Sequence, residues 1–109
     1  MDLFINQSSH SIQSMLNINS LAPCLLMISF KDKLKAIINV DSVSATLPLP
    51  YHSLYSGTKG FLRELSLNSS LETNIDILTL SPGAVNTKMT GFAGTKFPNP
   101  LISSTQRTV

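Results

Sequence analysis

The chain has 109 residues, the length of one small domain, which leaves no room for a two-domain enzyme within it. Charged residues make up 13% and apolar residues 42%, a composition typical of folded, buried elements rather than of a disordered tail. The net charge of +2 is spread along the sequence, so nucleic acid is not expected as a partner. Cys24 is the single cysteine, and neither a disulfide nor a metal site is predicted.

The first predicted element is a helix over residues 9–30, where apolar side chains recur at spacings of three and four. Pro23 lies inside it and has no N–H group, so the carbonyl of Asn19, four residues earlier, loses its helical hydrogen bond. A carbonyl freed in this way can bind a water, and the alternative interpretation is a plain proline kink. The longest apolar run, around residues 21–30, is too short and too interrupted to predict a membrane span.

Two short apolar runs, at residues 36–40 and 75–80, predict buried strands. Between them, residues 41–50 predict a loop, because its prolines exclude a helix interior and a central strand, and residues 51–70 predict a helix. Glycine, proline, serine and threonine predict a loop or tail over residues 93–109. Strand, helix and strand form a βαβ unit with both faces covered, so the predicted fold class is α/β.

The second predicted helix carries a phenol and an ammonium one turn apart, at Tyr55 and Lys59. A free phenol is a poor proton donor at neutral pH, but a neighbouring cation stabilises its phenolate, which makes the pair a candidate general acid and base. The alternative is a solvated helical pair. Ser42 follows the first strand, and open α/β sheets form their sites at the carboxyl ends of strands. Gly57 and Gly60 in the same helix indicate a closely packed neighbour.

Four motifs extend this pattern in chain order. The first, at the end of the first predicted strand, is Asn39-Val40-Asp41-Ser42, and the second, in the loop, is Pro48-Leu49-Pro50. The third, in the second predicted helix, is Tyr55-Ser56-Gly57-Thr58-Lys59, and the fourth, after the second predicted strand, is Ser81-Pro82-Gly83-Ala84-Val85-Asn86-Thr87. Together they resemble the short-chain dehydrogenase/reductase family over roughly residues 12–92. Within it they are similar to the branch of 17-beta-hydroxysteroid dehydrogenases and very-long-chain 3-oxoacyl-CoA reductases.

The resemblance implies a role for each matched residue. Tyr55 would be the general acid that protonates a substrate carbonyl. Lys59 would bind the nicotinamide ribose and assist the tyrosine. Ser42 would hydrogen-bond the substrate oxygen, and Asn19 would complete the catalytic set. The residues that would contact the cofactor NADP(H) are Tyr55, Lys59, Pro82, Gly83, Val85 and Thr87.

For the whole chain, the resemblance implies one partial domain over residues 1–109 with its catalytic segment at 12–92. The fold would be a partial Rossmann-like, doubly wound parallel sheet lacking the N-terminal dinucleotide-binding half, since no glycine-rich strand–helix turn occurs in the sequence. The activity would be NADP(H)-dependent oxidation or reduction of a hydrophobic hydroxy or keto substrate, a steroid or 3-oxoacyl-CoA. The two helices would form a homo-oligomer contact, and the protein would associate with the endoplasmic reticulum membrane.

Two alternatives to an active enzyme stay open. The chain is either a truncated, catalytically inactive relative that acts at most as an association partner, or a small helical binding module with an accidental tyrosine and lysine pair. One residue also departs from the family pattern. Asp41 stands where the family usually has a serine, and its carboxylate is expected either to oppose catalysis or to point to water.

Overall fold

The computed structural model describes residues 2–83 and the backbone of a strand at 102–108. Helix α1, Ser9–Leu16, continues through a π-helical segment, Asn17–Leu21, into helix α2, Ala22–Phe30. Ser8 caps this helix, because its side chain accepts a hydrogen bond from the backbone N–H of Ser11 at 3.1 Å. The predicted helix over residues 9–30 is therefore confirmed.

This continuous helix, Ser9–Phe30, is long and apolar enough to cross a membrane by length and composition. Large apolar side chains along it, such as Ile18 and Ile28, are exposed in this chain. Core helices of soluble proteins share the same length and composition, so the absence of a membrane span stays a prediction.

The sheet has three strands in the order β1-β2-β3: β1 is Ala36–Val40, β2 is Asp76–Pro82 and β3 is Ile102–Thr108. Strands β1 and β2 are parallel and in register, and helix α3, Ser53–Glu72, connects them. This is the predicted βαβ unit, and the α/β fold class is confirmed.

Strand β3 corrects the prediction that residues 93–109 are loop or tail. Residues 102–108 pair antiparallel with β2, with a register irregularity between Ser81 and Pro82. The free edge of β2 supplies unpaired backbone groups, and a segment containing β-branched Ile102, Thr105 and Thr108 can satisfy them.

Strand β1 also corrects the prediction that both faces of the strands are covered. Ile38 is 64% exposed, whereas its neighbours Asn39 and Asp41 are buried at 9% and 2% exposure. Successive side chains point to opposite faces of a strand, so the described chain covers one face, the one against α3, and leaves the other open. Strand β1 is also an edge of the sheet that the described strands form.

The buried face of α3 is largely polar. The large apolar side chain of Phe61 is 45% exposed, and Leu54 and Leu65 are half-buried. The structure buries four side chains at spacings of four residues, three of them hydroxyls: Thr58, Leu62, Ser66 and Ser70.

Hydrogen bonds explain how hydroxyls can occupy this interface. The buried Asn39 side chain on β1 donates to Ser66 Oγ at 2.8 Å, and Ser66 Oγ donates to the Leu62 carbonyl at 2.7 Å. Buried polar groups cost little when they are paired in this way. The packing of α3 on β1 is therefore specified by a polar contact at its centre.

Replacing Ser66 by alanine is expected to lower the free energy of unfolding by about 1–3 kcal/mol, because it leaves the buried Asn39 amide without its oxygen partner. The remaining neighbour of that amide is the weak acceptor Met27 Sδ at 3.8 Å. Urea denaturation of the full chain measures the change, with half-buried Ser69→Ala on the same helix as the matched control. An equal loss in both variants would contradict the assigned role of Ser66.

Candidate active site

Three of the predicted site residues, Ser42, Pro82 and Gly83, lie at the carboxyl ends of β1 and β2. Ser42 is the second residue after the end of β1 and begins a single 3-10 turn, Val43–Ala45. Pro82 ends β2, and Gly83 follows it. In open α/β sheets this edge is where sites form.

Tyr55 and Lys59 are brought together on the first two turns of α3. The ammonium nitrogen of Lys59 lies 5.7 Å from the centroid of the Tyr55 ring. On the other side, the His52 ring meets the Tyr55 ring edge-on, with centroids 6.5 Å apart and an angle of 74°. The half-buried phenol is therefore flanked by a cation and an imidazole, and the contact with His52 was not predicted from the sequence.

Lys59 is fixed by the end of strand β1. Its Nζ donates a hydrogen bond to the Val40 carbonyl at 3.1 Å. Burial lowers the pKa of Lys59 from its ordinary value of 10.5, and the negative charge of Asp41 opposes this effect by raising it. The ammonium therefore lies beside the phenol in an environment that Asp41 helps to keep suitable for a charge.

Asp41 does not point to water, which corrects one of the two expectations for it. The residue is 2% exposed, and neither carboxylate oxygen has a hydrogen-bond partner in the described part of the chain. Its backbone N–H extends the parallel pairing by donating to the Leu80 carbonyl at 2.9 Å.

Ser42 has its hydroxyl oriented by a neighbouring serine. Ser42 Oγ accepts hydrogen bonds from the Ser44 backbone N–H at 3.2 Å and from Ser44 Oγ at 3.0 Å. A hydroxyl has two acceptor positions and one donor, so these two bonds leave its O–H to donate elsewhere. Ser44 is buried and was not predicted as part of the site.

Asn19 is connected to helix α3 by a hydrogen bond to a buried threonine, Thr58. Asn19 Nδ2 donates to Thr58 Oγ1 at 3.1 Å, and Thr58 Oγ1 donates to the Tyr55 backbone carbonyl at 2.7 Å. Thr58 is 1% exposed and links the two helices directly behind the tyrosine. Its place between Tyr55 and Lys59 in the sequence was the only signal that could have identified it.

The helix is irregular where Pro23 predicts it to be. The five residues Asn17–Leu21 form the π-helical segment, and the N–H of Ala22 donates to the Asn17 carbonyl. Asn19 lies at the centre of this segment, and the residue four positions later is the proline that cannot donate to its carbonyl. Single π-helical turns inside α-helices occur frequently at functional sites.

Three further expectations concern the glycines of α3, the contact between copies of the chain, and the cofactor contacts that follow Gly83. Apart from the adjoining residues and backbone of α3 itself, no described atom lies within 4 Å of a Cβ built at Gly57 or Gly60, so the predicted close neighbour is not found within the described chain. The contact between copies through these helices stays a prediction. Val85 and Thr87 lie outside the described residues, and their assignment as cofactor contacts also stays a prediction.

Two cavities adjoin the site. One of about 500 Å³ lies between the N-terminal residues and α3, where Phe4, Met15, Leu54 and Tyr55 contribute to its lining. The other, of about 520 Å³, lies between α2, β1 and α3 and includes Lys59. Asn19 lines both cavities, so it lies at the boundary between the tyrosine side and the lysine side of the site.

Comparison with known proteins shows the family of this chain. The family model described as short chain dehydrogenase matches residues 1–96. An uncharacterised oxidoreductase of Methylorubrum extorquens is 36% identical over 76 residues, which is 64% of this chain and 31% of that protein.

Two solved structures are similar in fold. An alcohol dehydrogenase from the archaeon Thermococcus sibiricus, complexed with 5-hydroxy-NADP, has a TM-score of 0.75 at 25% identity over 79% of this chain. A short-chain dehydrogenase from Sphingobium yanoikuyae, in complex with NADPH, has a TM-score of 0.73 at 26% identity over 92% of this chain. The chain covers 39% and 43% of these two structures, respectively.

Proposed function

This chain belongs to the short-chain dehydrogenase family, and we propose that the protein is an NADP(H)-dependent oxidoreductase in which Tyr55 is the general acid and base. The observation that carries the proposal is the Lys59 ammonium, 3.1 Å from the Val40 carbonyl and 5.7 Å from the Tyr55 ring centroid. In this position the ammonium can stabilise the negative charge that develops on Tyr55 when it transfers its proton.

The residues present fit the nicotinamide end of NADP(H). A lysine ammonium has three donors, and one of those of Lys59 goes to the Val40 carbonyl. The other two match the vicinal hydroxyls of a ribose. Relatives with the same fold were solved with 5-hydroxy-NADP and with NADPH, which supports the choice of cofactor.

When bound beside Lys59, NADPH would supply the hydride that reduces the carbonyl carbon of the substrate. The Tyr55 hydroxyl donates a proton to the carbonyl oxygen, and Ser42 donates a hydrogen bond to the same oxygen. Lys59 stabilises the phenolate that forms on Tyr55. In the reverse direction, Tyr55 accepts the proton of the substrate alcohol.

We further propose a hydrophobic substrate, a steroid or a 3-oxoacyl-CoA, and a location at the endoplasmic reticulum membrane. The cavity beside Tyr55 supports the substrate class, because Phe4, Met15 and Leu54 give it apolar walls. The branch that the sequence resembles supports the location.

The test is a fluorescence titration of the purified full chain with NADPH, followed by NADPH oxidation assays with steroid ketones and 3-oxoacyl-CoA esters. Saturable binding and turnover of one substrate class are expected. Binding without turnover of either class would reject the substrate proposal, and absence of saturable binding would reject the enzyme proposal.

A second candidate, a catalytically inactive association partner, is favoured by a different observation. The chain exposes large apolar side chains such as Ile18 and Ile38, at 70% and 64%. Such surfaces are typical of a chain that binds another subunit. Co-purification with an intact dehydrogenase of the family, without NADPH binding by this chain, would favour this candidate over the enzyme.

Pro23→Ala tests the proton path of the proposed enzyme. The alanine N–H can donate to the Asn19 carbonyl, which would then no longer be free to bind the water that supplies protons to the site. Turnover is expected to fall about tenfold, a small part of the 10²–10⁴ that positioned acid–base groups contribute. Cys24→Ala, at the next residue of α2, is the control, and an unchanged rate and pH profile for Pro23→Ala would contradict the assigned path.

A further inference from the structure

Asp41 combines an ionisable side chain with nearly complete burial. Its side chain is 2% exposed, and both carboxylate oxygens lack a hydrogen-bond partner in residues 2–83. A buried carboxylate is costly unless a compensating charge lies nearby. The cation that compensates Asp41 must therefore be identified.

Lys59 is the described cation on which the charge of Asp41 acts. Side chains alternate along a strand, so Asp41 shares with Asn39 the face of β1 that packs against α3. At the end of the same strand, the Lys59 ammonium donates to the carbonyl of Val40, the residue that precedes Asp41. Asp41, which follows β1, and Lys59, which belongs to α3, therefore both lie at the carboxyl end of β1.

We propose that Asp41 is a positioning residue, whose carboxylate keeps the Lys59 side chain charged at the Val40 carbonyl and beside the Tyr55 ring. This inference rests on the proposed function, in which Lys59 binds the ribose and stabilises the phenolate. Burial lowers the pKa of Lys59 and Asp41 raises it, in agreement with this assignment. The aspartate at a position where the family usually has a serine then supports catalysis rather than opposing it.

Other ionisable groups around Lys59 do not replace this charge. On α3 itself, Tyr55 precedes it by four residues, and Arg63 follows by four and pairs with Glu64 at 3.5 Å. Strand β1 carries no ionisable residue between Ala36 and Val40, and α2 contributes Cys24 alone. The acidic residue of β2, Asp76, pairs in the sheet with Ala36, at the opposite end of β1.

The test measures Lys59 directly in the full chain without nucleotide. NMR of the lysine side chains follows the titration of Lys59, whose signal is assigned by its loss in Lys59→Arg. Asp41→Asn keeps the shape and removes the charge, Asp41→Ser introduces the residue usual in the family, and exposed Glu72→Gln is the matched control. The Lys59 titration is expected to move to lower pH in both Asp41 variants and to stay in place in the control. An unmoved titration in either folded Asp41 variant would overturn the proposal.

A second readout separates this proposal from the proposed function. The dissociation constant for NADPH is expected to rise about tenfold in Asp41→Asn at alkaline pH, where Lys59 loses its proton, and to approach the wild-type value near neutral pH. A pH-independent change would indicate a purely structural role and overturn the proposal. Failure of the unsubstituted protein to bind NADPH would instead reject the proposed function, and the NMR titration would still decide the role of Asp41.

Discussion

Replacing Tyr55 by phenylalanine in the full chain is expected to lower turnover about 10³-fold, within the range of about 10²–10⁴ that general acid–base catalysis contributes. The substitution removes the one hydroxyl that can donate a proton to the substrate oxygen next to the Lys59 ammonium. It keeps the ring between His52 and Lys59, where the centroid and Nζ are 5.7 Å apart. The dissociation constant for NADPH is therefore expected to change little.

The matched control is Tyr51→Phe. Tyr51 lines the same cavity as Tyr55, but it is 55% exposed and lies outside α3, with a positive φ of 64°. Loss of its hydroxyl is expected to leave turnover nearly unchanged. Steady-state rates of NADPH oxidation and fluorescence titrations measure both quantities. Equal rates for Tyr55→Phe and the unsubstituted protein would contradict the assignment of Tyr55 as general acid.

The sequence was sufficient to predict the elements that position this tyrosine. A run of β-branched and apolar residues predicted β1 at its observed bounds, Ala36–Val40, and helical spacing predicted the neighbourhood of Tyr55 and Lys59. These features depend on local periodicity, which a single sequence contains. Pro23 likewise indicated an irregular helix at Asn19, because a missing N–H group is a property of one residue.

The sequence was not sufficient for the contacts that connect one element to another. Ser66 was not predicted to be buried. The cost of burying its hydroxyl is offset by a hydrogen bond from Asn39, which lies on a strand that is far away in the sequence. Thr58 belongs to the motif that contains Tyr55 and Lys59, but its hydrogen bonds, which link Asn19 to the Tyr55 carbonyl, were not predicted. Strand β3 was also missed, since a strand without a regular apolar pattern forms only where a free edge is offered to it. Long-range partners, rather than local propensity, decide these features.

The second large effect is expected at Ser42. Ser42→Ala removes a hydrogen-bond donor to the substrate oxygen, on which negative charge develops during reduction, and such donors contribute about 10²–10³ to turnover. The loss of about 10²-fold is expected in kcat more than in the KM for NADPH, because Ser42 is not assigned to the cofactor. NADPH oxidation at saturating cofactor measures it.

Ser44→Ala tests why the Ser42 hydroxyl is available. The two Ser44 donors, at 3.2 and 3.0 Å, occupy the acceptor positions of Ser42 Oγ and leave its hydrogen for the substrate. Removing the Ser44 hydroxyl keeps the backbone N–H bond and frees one acceptor position, so the Ser42 hydroxyl gains alternative orientations. We expect a smaller loss, about tenfold, and no further loss when Ser44→Ala is added to Ser42→Ala, since residues that act through one group are not additive. A full additional loss in the double variant would show that Ser44 acts independently of Ser42.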